Sequence, residues 1–140
     1  MKSNKLIFLF SVLIQMFILT SLVTASPLLT MSVVEGGELP WGNVMTELLF
    51  VLFPLNFLLV RRQRKVHPIP QKFYNTTVVL AMVMGLLWLP VSYWLSGNWH
   101  STFLGEDTEQ QISESYTYAT PILPFVGYIG RGILGMFFKK

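Results

Sequence analysis

The sequence predicts an all-α integral membrane protein with four transmembrane helices and both termini in the cytoplasm. Composition supports this fold class, since 52% of the 140 residues are hydrophobic and only 12% are charged, against about 25% charged in an average soluble protein. Four apolar stretches approach the roughly 20 residues that cross a hydrocarbon core of about 30 Å. Basic and acidic residues also occupy alternate connections between these stretches. Together these observations favour a multi-pass membrane protein over a globular one.

The chain is predicted to form one membrane domain. Three connections, 24–43, 61–75 and 96–120, are too short or too polar to form another domain. The first and third are predicted to be external and the second cytoplasmic. The predicted spans are 6–23, 44–60, 76–95 and 121–138.

The first span has a second interpretation as a secretory signal. Lys2 and Lys5 precede the apolar run, and Val23-Thr24-Ala25 resembles the small-residue pattern of a cleavage site. The run is longer than the roughly 7 to 15 apolar residues of such a signal, which favours an uncleaved helix. Cleavage would leave three spans in an unchanged orientation.

The charge distribution predicts that orientation. Of the ten Lys and Arg residues, all but Arg131 lie in the two terminal tails or in connection 61–75, which an alternating four-span chain places on one side. All seven Asp and Glu residues lie in the other two connections or beside one of them. Short loops rich in Lys and Arg stay in the cytoplasm. The protein is therefore expected in a bacterial inner membrane or a plasma membrane.

The basic cluster after the second span indicates contact with lipid rather than with nucleic acid. It follows an apolar span and lacks the interleaved aromatic residues of a nucleic-acid surface. Each cation near an anionic leaflet contributes about 1 kcal/mol to membrane binding. The residues predicted to contact lipid are Arg61, Arg62, Arg64 and Lys65.

Arg131 is the most informative polar residue, because a central arginine in a span costs about 3 kcal/mol. At helical spacing Gly127, Arg131 and Gly135 share one stripe, where small residues let another helix approach closely. Arg131 is expected either to contact an anion or a partner within the membrane, or to extend to the inner headgroups. The cost also leaves open a fourth helix that lies flat at the interface.

Three further polar residues are predicted at membrane depth. Glu47 lies one turn inside the second span, where it is either an acid favoured by the helix dipole or an outer cation or proton site. Gln15 and Asn56 lie within spans one and two, and interhelical hydrogen bonds are expected for them. A direct ion pair between Glu47 and Arg131 is not expected, since their depths differ.

The sequence contains neither a cysteine nor a recognisable catalytic or nucleotide-binding pattern. Hence no cofactor or metal is predicted and an enzyme is not favoured. His100 with Glu106, Asp107 and Glu109 could bind an external cation, but the spacing matches no defined loop and a solvated acidic loop is favoured. The leading hypothesis is an accessory or interaction subunit of a membrane complex, with other membrane subunits or further copies as partners. The alternative is a small oligomeric transporter or channel that uses Glu47 and Arg131.

Overall fold

Four α-helices make up the fold in the computed structural model, which describes residues 2–35, 37–60, 67–99 and 107–138. Helices α1, α2 and α3 are long and apolar enough to cross a membrane by length and composition, whereas α4 is not among the described helices that meet this criterion. The all-helical class is therefore confirmed, with three helices that can span. The helix bounds are α1 Lys2–Val23, α2 Trp41–Leu59, α3 Pro68–Ser96 and α4 Asp107–Phe137, with a 3₁₀ turn at Pro27–Thr30.

Helices α3 and α4 extend well beyond the predicted spans. α3 begins at Pro68 because His67 caps it, with the imidazole Nδ1 accepting from the backbone N–H of Ile69 at 3.4 Å. Prolines are compatible with this first turn, where the N–H groups have no partner within the helix. α4 begins at Asp107 and continues through Pro121 and Pro124. The expectation that 96–120 is a connection is thus wrong for 107–120, because a polar segment that packs on another helix has no apolar run to mark it.

Helix α3 is the centre of the bundle. It packs extensively against both α2 and α4, whereas α1 contacts only α2 and the 3₁₀ turn among the described elements. The buried positions of α3 recur every three or four residues, as expected for one helical face. They include Tyr74, Val78, Ala81, Gly85 and Trp88.

The α2–α3 contact depends on a close backbone approach at Gly85. A Cβ at this position would lie 2.7 Å from the carbonyl oxygen of Phe50, so no larger residue fits without moving a helix. The Phe50 and Trp88 rings meet edge to face with centroids 5.6 Å apart. Farther along α2, the rings of Phe53 and Phe57 contact Phe125 of α4 at 5.7 and 5.2 Å. A glycine contact and an aromatic cluster therefore fix α2 against the other two helices.

Three contacts define an antiparallel register between α3 and α4. Trp88 Nε1 donates to Thr117 Oγ1 at 3.0 Å. One further pair is Thr77 against Gly127, and another is Tyr74 against Arg131. Each step forward along α4 thus matches a step back along α3. The polar first half of α4 lies beside the apolar second half of α3.

Helix α1 is bound to the bundle through one narrow stripe. Ser11, Gln15, Ile18 and Ser21 are buried at helical spacing, while the opposite side is exposed and apolar. α1 ends in a turn in which Ala25 has a positive φ of 46° and the N–H of Ser26 donates to the carbonyl of Ser21. This six-residue closure satisfies carbonyls that the helix end leaves free.

The polar connection after α1 folds onto the start of α2. A β-bridge pairs Ser32 with Pro40, and the N–H of Trp41 donates to the carbonyl of Met31 at 2.9 Å. The side-chain amide of Asn43 donates to the carbonyl of Trp99 beyond the end of α3. Both connections at this end of the bundle are therefore attached to the first turn of α2.

Candidate functional site

Arg131 lies near one end of the bundle, level with the last turn of α2. Its guanidinium carbon is 5.4 Å from the ring centroid of Tyr74, within the range of a cation–π contact. Tyr74 is only 3% exposed, and its hydroxyl donates to the carbonyl of Phe57, close to the end of α2 at Leu59. The depth of Arg131 within a membrane, which the sequence suggested to be near the middle of a span, stays a prediction.

The Arg131 side chain makes no hydrogen bond or ion pair to another described residue. Arg131 is half-buried, and its guanidinium lies over the ring of Tyr74. The ring face provides no oxygen acceptor for the guanidinium N–H groups. Glu47 lies in the second turn of α2, ten residues before Phe57, which corresponds to about 15 Å along the helix. The two residues therefore lie toward opposite ends, and the structure does not bring them together.

The glycines around Arg131 divide into two pairs. A Cβ at Gly127 would overlap the Thr77 hydroxyl, and one at Gly130 would overlap the Phe73 ring. A Cβ at Gly132 or Gly135 would meet nothing within 4 Å. The predicted stripe is thus a packing contact at Gly127 and open surface at Gly135. Gly130 was missed, although its three-residue spacing from Gly127 places the two on nearly the same face.

The remaining predicted polar residues have different surroundings. Gln15 Nε2 donates to Ser11 Oγ at 3.0 Å within α1, so this bond is not the interhelical one expected. Asn56 Oδ1 is buried and has no hydrogen-bond partner among the described residues. A buried acceptor without a donor costs about 1 to 3 kcal/mol. Asn56 is therefore a local weakness in α2.

Other side chains provide the polar links between helices. Trp88 donates to Thr117, and the Tyr116 hydroxyl donates to the Met84 carbonyl at 2.8 Å. With the Tyr74 bond to Phe57, these contacts join α3 to both neighbours. Sequence reasoning missed these bonds, although a Trp or Tyr within a helix usually finds a hydrogen-bond partner when it is buried.

The first half of α4 presents an exposed polar face, formed by Gln110, Gln111, Glu114 and Ser115. These residues form two adjacent i, i+4 pairs and so share one side of the helix. Gln110 Nε2 donates to Glu114 Oε1 at 2.9 Å. At the same level α3 exposes aromatic side chains, Trp94 at 80% and Tyr93 at 41%. A polar face of α4 and an exposed aromatic surface of α3 thus lie side by side at one level.

Some predicted residues lie outside the described part of the chain. Arg61, Arg62, Arg64 and Lys65 fall there, so their predicted contact with lipid stays a prediction. The same holds for His100 and Glu106 of the possible external cation site. Within the described ranges, no group of three or more His, Cys, Asp or Glu side chains could hold a metal ion.

Comparison with known proteins assigns no family to this architecture. Neither protein-family models nor curated proteins nor solved structures give a match to the chain. The class is therefore defined by the fold itself, an all-helical protein with three helices that can cross a membrane. Such helices, whose outward surfaces are rich in exposed apolar side chains, indicate a membrane location.

Proposed function

We propose that this chain is an accessory or interaction subunit of a membrane complex, built on four spanning helices. The exposed α4 polar face is the observation that carries this proposal. Amide and carboxylate groups that face hydrocarbon cost several kcal/mol each unless protein or water satisfies them. This face lies level with the exposed Tyr93 and Trp94 of α3, and a partner subunit that covers it removes any such cost.

The packing of α4 supports a fourth span. α4 runs antiparallel to α3 along most of its length, so a membrane crossed by α3 is crossed by α4 as well. A helix lying flat at the interface would be roughly perpendicular to α3. Under this topology the basic connection places both termini in the cytoplasm of a bacterial inner membrane or a plasma membrane.

Photo-crosslinking tests the partner surface directly. A photoreactive residue at Gln111 or Ser115, on the α4 polar face, is expected to give a discrete adduct with another membrane protein in intact cells. Trp94 is the matched control, since it is exposed at the same level on α3 but lies outside the α4 polar face. Adducts of equal yield at Trp94, or none at Gln111 and Ser115, would contradict the proposal.

A small oligomeric transporter or channel is the second candidate. The same polar face favours it, since copies that turn this face toward a shared axis would enclose a water-lined path. Glu47 and Arg131 lie toward opposite ends of the bundle, so they would act at separate entrances. Reconstituted ion flux that falls with Glu114→Gln and with Glu47→Gln would support this function, and the absence of flux would remove it.

A further inference from the structure

We propose that Arg131 binds the phosphate of an anionic phospholipid headgroup at the end of the bundle where α3 begins. This inference rests on the membrane location in the proposed function and is independent of any partner subunit. The site consists of the Arg131 guanidinium, its support on Tyr74, and the open space beside Gly132 and Gly135.

The guanidinium has donors but no acceptor. Arginine carries five N–H donors in a planar fork that matches phosphate in a bidentate geometry. Contact with the Tyr74 ring leaves these donors available, and the described residues provide no oxygen for them. At a membrane boundary water and lipid phosphate both offer acceptors to this charged group, and phosphate is the one that matches the planar fork in a bidentate geometry.

The guanidinium is also held in place. Tyr74, which it contacts, is buried and bonded to Phe57 of α2. Immediately before Arg131, α4 approaches α3 closely through Gly127 and Gly130. Three helices therefore position this one side chain, which reduces the entropy lost on binding a ligand. A freely mobile surface arginine would not have this support.

The depth of the site fits a headgroup. Tyr74 is bonded two residues before α2 ends, so Arg131 lies level with the boundary of a helix that can span. On the membrane side of this level α4 has exposed apolar side chains, which include Ile129 at 59% and Ile122 at 55%. Beyond it, Gly132 and Gly135 leave open space in which a headgroup can lie. An acyl chain can therefore lie along the apolar surface while its phosphate reaches the guanidinium.

The test compares anionic-lipid retention by purified variants of the full chain. The protein is reconstituted in nanodiscs of phosphatidylcholine with a minor fraction of phosphatidylglycerol, and bound lipid is counted by native mass spectrometry. Arg131→Gln is expected to weaken phosphatidylglycerol binding about tenfold or more, as for loss of a charge-assisted hydrogen bond. Lys72→Gln removes an exposed cation from α3 and is expected to retain wild-type binding.

Arg131→Lys provides a second variant that keeps the charge but loses the planar fork. Arg131→Lys is expected to bind phosphatidylglycerol several-fold more weakly than the wild type. If Arg131→Gln loses its helical circular dichroism, Arg131→Lys still tests the proposal. Unchanged phosphatidylglycerol binding in the folded Arg131 variants would overturn the proposal. An equal loss in Lys72→Gln would also overturn it, since diffuse charge would then explain the binding.

Added inorganic phosphate distinguishes the two sources of the ligand. Displacement of the lipid by equimolar inorganic phosphate would identify a free-phosphate site and overturn the lipid assignment. Retention of the lipid supports it. Because the purified chain is tested without other subunits, a negative result here leaves the crosslinking test of the proposed function unaffected.

Discussion

The two halves of α4 pack against the same helix by different physical means. The first half uses side-chain hydrogen bonds, from Trp88 to Thr117 and from Tyr116 to the Met84 carbonyl. The second half uses close approach at Gly127 and Gly130. Hydrogen bonds tolerate bulky neighbours and retain a polar exterior, whereas glycine contacts depend on volume. We therefore expect that a larger side chain at the glycines disrupts the packing of the second half of α4 on α3. Removal of a hydrogen-bonding group should weaken the packing of the first half.

The largest effect is expected at Gly127. Gly127→Leu would force a side chain into Thr77 and is expected to destabilise the bundle by about 3 kcal/mol, in the range of overpacking. The free energy of unfolding in mixed micelles, followed by circular dichroism, measures this loss. Gly135→Leu is the matched control, because its Cβ meets nothing within 4 Å and little change is expected. Equal losses in the two variants would contradict the glycine contact.

The sequence predicted the apolar half of this fold and missed the polar half. Helices α1, α2 and α3 have long apolar runs, and each overlaps a predicted span nearly or completely. Residues 107–120 carry acids and amides, so hydropathy assigned them to a connection, although contacts with Trp88 and Met84 hold them on α3. The predicted fourth span, 121–138, therefore omitted the first part of α4. Tertiary packing thus extended α4 beyond what local hydropathy could indicate.

A second prediction concerns the two kinds of buried polar group. Asn56→Leu removes an acceptor that has no partner among the described residues, and it is expected to stabilise the protein by about 1 kcal/mol. Thr117→Val instead removes the acceptor of a bonded pair and is expected to destabilise it. Unfolding titrations of both variants test this contrast. A destabilising Asn56→Leu would show that the amide has a partner and is needed.

The Trp88–Thr117 hydrogen bond, in the first half of α4, is expected to contribute less to stability than the glycine contact at Gly127. Hydrogen bonds between membrane helices average about 0.6 kcal/mol in double-mutant cycles, with a maximum near 1.7. Trp88→Phe, Thr117→Val and the double variant should therefore give a coupling of about 0.6 kcal/mol. Trp88→Phe retains a ring toward Phe50, which limits the packing loss in that arm. Additive effects with no coupling would show that this half is held by packing as well.

The smallest stability effect is expected on the α4 polar face. The Gln110–Glu114 bond is an exposed i, i+4 contact, and such pairs contribute about 0.2 to 0.5 kcal/mol. Glu114→Gln should therefore leave the unfolding free energy nearly unchanged while it lowers the crosslinking yield at Ser115, one residue along the same face. That separation would show that this face contributes to contact with a partner and little to the stability of the isolated fold. A large loss of stability with an unchanged crosslink would instead make Glu114 part of the bundle.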